Sequence, residues 1–85
     1  MPVINSIQRG TVSVTIGNSS NTVTITAVNT SKSKLSWLGG VTYVGSTHVM
    51  FPRIVLTNST TITVTFPDTV TLYNGVVSWE LVEYQ

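Results

Sequence analysis

Cysteine is missing from this chain and charge nearly so. Four Lys and Arg and three Asp and Glu make up 8% of the 85 residues, where an ordinary soluble domain carries about 25%. Without cysteine no disulfide can staple the fold, although that says nothing about the compartment. With one His and three carboxylates a closed structural zinc site is hard to build, since such sites take four Cys or His ligands. A net charge of +1 leaves no cationic footprint for nucleic acid, which needs clustered Lys and Arg. Lys32 and Lys34 are the only close pair, and they sit in a Ser-rich loop. No run approaches the ~18 apolar residues of a membrane span. Met1-Pro2-Val3-Ile4-Asn5-Ser6 has neither the basic start nor the apolar stretch of a signal peptide, so a product that stays in the cytosol is expected.

Thr, Ser and Asn fill the space left by charge, alternating with Val and Ile. Thr11–Ile16 places Val12, Val14 and Ile16 on one face, and Thr22–Ala27 repeats the pattern after the turn cluster Gly17–Asn21. These two runs are predicted to form a hairpin. A polar loop, Asn29–Lys34, leads to a short apolar piece, Leu35–Leu38, which Gly39-Gly40 stops. Val41–Val44 is extended again, and His48–Phe51 is either a strand or an irregular connection. Arg53–Thr57 and Thr61–Phe66 flank Asn58-Ser59-Thr60 as a second hairpin, with Asn58 bonding the backbone two residues on. Thr69–Leu72 reads as a strand, and Asn74-Gly75 is the strongest type I′ turn signal. Along the last strand Val77, Trp79 and Leu81 share one face, and Ser78, Glu80 and Val82 the other. β-branched residues crowd a helix and suit a pleated sheet, so no helix of normal length is expected.

The pattern predicts one all-β domain over residues 1–85, a small antiparallel β-sandwich or barrel of about six to eight short strands. A chain this short buries only about 60–65% of its unfolded surface and usually needs a staple. With no disulfide and a metal site hard to build, self-association is the staple left. The strands carry almost no Lys and no internal Pro, so their edges are poorly guarded unless closed or occupied by neighbours.

Catalysis finds little support. His48 and Asp68 are the only residues of their kinds, and no nucleophile elbow surrounds any Ser. Glu80 and Glu83, three apart on a strand, face opposite sides and cannot act as a glycosidase pair. Gly39-Gly40 lacks the rest of a phosphate loop. The three Asn-x-Ser/Thr matches, at Asn18, Asn29 and Asn58, are expected by chance in so hydroxyl-rich a chain. No catalytic, cofactor or metal residue is therefore assigned. Trp79 and Phe66 lie in phase with strand faces and are expected in the core. Trp37, Tyr43, His48, Met50 and Phe51 gather in the irregular middle beside Gly39, Gly40 and Gly45. Aromatics and Met are enriched at interface centres, so these five are the candidate interface; for Trp37, Tyr43 and Phe51 the favoured alternative is burial, because so small a sandwich needs large side chains to fill its core.

Several stretches resemble a group of short tailed-phage virion proteins: Ile4–Val12, Val23–Asn29 with Ser31–Ser33, Leu38–Gly40, Val55–Thr65 and Val77–Tyr84. Together they cover most of the chain, while Thr42–Pro52 matches nothing in the group. The resemblance implies a β-rich, non-catalytic capsid decoration (cement) or head-fibre subunit, or a tail-associated component. It would be assembled as a homo-oligomer, a trimer by expectation, in contact with other virion proteins such as the major capsid protein. No cofactor, nucleic acid or membrane enters that role. A carbohydrate- or host-surface-binding module is the alternative.

Overall fold

The computed structural model describes residues 3–44, 48–71 and 74–85, with backbone alone at 42–44, 48 and 49. Eight strands run through these residues: β1 (Ile4–Val14), β2 (Ser20–Thr24), β3 (Ser33–Gly39), β4 (Thr42–Val44), β5 (His48–Met50), β6 (Arg53–Asn58), β7 (Thr61–Thr65) and β8 (Gly75–Tyr84). They form two antiparallel three-stranded sheets, ordered β1-β8-β3 and β2-β7-β6, and a separate β4-β5 pair. The fold is a small all-β sandwich, as the alternation predicts. The only helical piece among the described residues is a single 3₁₀ turn, Thr30–Lys32, capped by Asn29. The molecule is long, 46 × 21 × 16 Å. Its radius of gyration of 13.9 Å exceeds the about 12 Å expected of a compact chain this size.

The core lies between the sheets. Val12 and Val14 of β1 and Val77, Trp79 and Leu81 of β8 face Ile62 and Val64 of β7, with Ile25, Val28, Met50, Phe66 and Val70 closing the ends. Period-two alternation puts these side chains inside because successive residues on a strand point to opposite faces. The phase read for Val77, Trp79 and Leu81 holds, and all three are buried. Opposite Trp79 on β1 stands Gly10. A Cβ there would lie 2.9 Å from the indole Cζ2, so the missing side chain makes room for the ring. Gly75 does the same for Phe66, whose Cζ would lie 2.6 Å from an added Cβ.

Several sequence expectations need correction. The runs 11–16 and 22–27 do not form a hairpin: β1 pairs with β8 and β2 with β7, in different sheets. Alternation fixes which face of a strand is apolar but not which strand lies beside it. The two strands are edges of different sheets: Val12 and Val14 of β1 are buried in the core between the layers, while β2 keeps only Val23 partly buried against it. The crossing segment is held by Val70, which accepts from Gly17 N–H and donates to the Asn18 carbonyl. Ile16, expected on the inner face, falls beyond the strand and is exposed. The run from Thr22 leaves the ladder after Thr24, although Ile25 and Val28 stay buried and bond the Thr60 and Ser59 carbonyls.

Asn74-Gly75 also departs from its expected turn. Neither residue has positive φ, so no type I′ turn forms. Gly75 instead opens β8 beneath Phe66, and the Asn74 side chain accepts from Ile16 N–H. Finally, Thr69–Thr71 pairs in no ladder, because Val70 is committed to the crossing segment; Leu72 and Tyr73 lie outside the described residues. The second hairpin is as predicted. β6 pairs with β7, and Asn58 Oδ1 accepts from Thr60 N–H at 2.9 Å.

Side chains rather than ladders join the sheets along the β1–β2 rim. Gln8 forks onto the backbone of Thr26, donating to its carbonyl and accepting from its N–H, both at 3.0 Å. At the far end of β8, Glu83 accepts from Asn29 N–H, from Asn5 Nδ2 at 2.8 Å and from Ser6 Oγ at 3.3 Å. The Asn29 backbone bond, then the Asn5 amide, hold its pKa below the ordinary value. A depressed carboxylate stabilises the fold fully above its unfolded pKa, about 4.3 for Glu, and that stability is lost as pH falls through the lower folded value. Acid scans of thermal unfolding should therefore show a falling melting temperature just below that pH. Glu83→Gln should lower it at neutral pH and flatten the acid slope.

Candidate functional site

The middle of the chain bridges the sandwich. β3 belongs to one sheet and β6 to the other, and the β4-β5 pair lies between them in sequence. Trp37 stands directly across from Trp79 in the β3–β8 register, and a bulge follows it before Gly39. Trp79 is buried, while Trp37 remains 45% exposed. Its ring meets Phe51 edge to face, with centroids 6.3 Å apart and planes at 86°. That geometry suits the opposed charges of ring edge and ring face. Phe51 itself is 63% exposed.

Of the five candidate residues, then, Trp37 and Phe51 are brought together at the surface. Met50, expected at the interface, is instead buried in the core. Tyr43 and His48 lie on paired backbone, opposite Val49 and Val44; their side chains, like Gly45 next to them, are outside what is described. Leu38 and Val41, beside the Gly39-Gly40 pair, are exposed as well and were not among the sequence candidates. The signal for Leu38 was available: it follows Trp37 directly, so on a strand both faces carry a large apolar group.

Phe51 also lines an open depression of about 340 Å³, shared with Pro52, Arg53, Thr65, Phe66 and Pro67. Among the described residues, Arg53 is the only charge lining it. The lining offers rings, proline edges and one cation. Asp68, close by in sequence, bonds its neighbour Thr69 N–H at 2.7 Å. Glu80 is engaged elsewhere, pairing with Arg9 at 2.7 Å on the outer face of its sheet. Among the described residues no three His, Asp or Glu side chains converge. The side chains of Asn18, Asn29 and Asn58 make local bonds: Asn18 donates to Thr15 Oγ1, and Asn29 and Asn58 accept from the Ser31 and Thr60 N–H groups.

Neither a protein family, nor a curated protein, nor a solved structure matches this chain.

Proposed function

We propose that the chain is a non-catalytic structural virion protein, a capsid decoration or fibre subunit that works through protein–protein contacts. The observation that carries this reading is the exposed Trp37–Phe51 pair with Leu38 and Val41 beside it, on a sandwich with very little surface charge. Rings this exposed are costly to leave in water on so small a domain and are the usual anchors of a protein interface. The resemblance of the flanking strands to short tailed-phage virion proteins supplies the setting. In it the subunit self-associates, as a trimer, and binds other virion proteins such as the major capsid protein.

The test is attachment. Purified protein mixed with capsid shells should co-sediment with them and raise their resistance to heat. Replacing Trp37 and Phe51 together by Ala should abolish co-sedimentation while lowering the melting temperature of the free protein only slightly, because both rings are largely outside the core. A double variant that still decorates shells would move the interface elsewhere. Exposed aromatics also suit the faces of sugar rings, so binding to host cells or glycans with no affinity for shells would favour a receptor-binding module instead.

A further inference from the structure

The two sheets end in four edge strands, β1, β3, β2 and β6. Three of them carry the devices that discourage edge-to-edge pairing, a β-bulge and a cation. β1 has a register shift between Ile4 and Ser6, and Arg9. β3 has one between Trp37 and Gly39, and Lys34. β6 has one between Leu56 and Asn58, and Arg53. β2, with the sequence Ser20-Asn21-Thr22-Val23-Thr24, has neither: its register against β7 is unbroken and it bears no charge.

Phe66 N–H donates to the Ser19 carbonyl and Ile25 N–H to that of Thr60. Bonded and non-bonded pairs alternate in an antiparallel ladder, so Asn21 and Val23 bond to β7. Ser20, Thr22 and Thr24 turn their backbone groups to the open edge. One of those groups is occupied, Thr22 N–H, which donates to Asn21 Oδ1 at 2.8 Å.

We infer that β2 is a self-association edge whose occupant is β2 of a second copy, paired antiparallel about a two-fold axis through Thr22. The strand is its own complement in that arrangement. Thr22 faces Thr22, each Ser20 faces a Thr24, and Thr22 N–H exchanges Asn21 Oδ1 for the partner's carbonyl. No charge approaches another, and the hydroxyl face of β2-β7-β6 continues across the axis into six strands. Thr–Thr pairs of this kind are favourable cross-strand neighbours. The pairing is separate from the Trp37–Phe51 surface and yields dimers, or pairs of whatever oligomer that surface builds.

Thr22→Cys tests it directly, because the chain has no other thiol. At a hydrogen-bonded pair the two Cα atoms stand about 5.5 Å apart, inside the roughly 4.4–6.8 Å that a disulfide spans. Mild oxidation should give a covalent dimer from Thr22→Cys and little from Thr65→Cys, which sits one strand further in on the same face. Thr22→Lys, placing two cations at the axis, should lower the mass seen by light scattering at low salt and recover it at high salt. A Thr22→Cys protein that cross-links no better than Thr65→Cys overturns the inference, as does a Thr22→Lys protein with the parent's mass at low salt. Shell binding is read independently, so loss of either result leaves the other standing.

Discussion

Trp79→Ala should lower the unfolding free energy by roughly 3–5 kcal/mol, the range for truncating a core aromatic. The indole is 4% exposed, lies over Gly10 and is flanked on its own strand face by Val77 and Leu81. Its removal opens a cavity in the central strand of its sheet, where neither edge can fold inward to fill it. Small domains commonly hold only about 5–15 kcal/mol in total, so the variant should be partly unfolded near body temperature. Chemical denaturation followed by far-UV circular dichroism gives the number. Trp79→Phe should cost much less than Ala. It keeps most of the ring and also removes the buried Nε1–H, which has no acceptor among the described residues and for which burial carries a penalty of about 1–3 kcal/mol. Unfolding of Trp79→Ala at the parent's midpoint would mean that β8 presents its other face to the core.

Much of the fold could be read from residue spacing because burial in a sandwich is a one-dimensional signal along each strand. Val12 and Val14, Ile62 and Val64, and Val77, Trp79 and Leu81 recur every second residue, and that period alone decides their face. Partner choice is a different kind of information. Nothing in Thr11–Ala27 distinguishes two strands joined by a hairpin from two that cross between layers. The deciding bonds come from Val70, more than fifty residues away. Asn74-Gly75 misled for a related reason. Its glycine answers to the Phe66 ring packed on it rather than to a turn, and a lack of Cβ serves both purposes. At the candidate interface, composition located Trp37 and Phe51 but could not separate them from Met50. All three lie near the chain's irregular middle, and only the layer geometry turns one inward and leaves the other two outside.

Gly40→Ala should be the most damaging substitution outside the core. Gly40 has φ of +123°, in a region that side-chain-bearing residues avoid. Holding Ala there costs about 1–3 kcal/mol. Space is the second difficulty: a Cβ would run into the Val76 carbonyl and stand 2.8 Å from the Val77 Cα. Both are backbone atoms of β8, the central strand, so neither can rotate aside as a side-chain tip would. Overpacking of this sort adds about 1–3 kcal/mol. Gly39 separates the two effects, since its φ is +145° but nothing lies within 4 Å of an added Cβ. Gly39→Ala should therefore show only the backbone part. Denaturation midpoints for the two variants should differ by the steric part alone, with Gly40→Ala the less stable. Equal midpoints would mean that the close approach of Gly40 to β8 gives way without cost, and that the turn into β4 is free to move off the sheet.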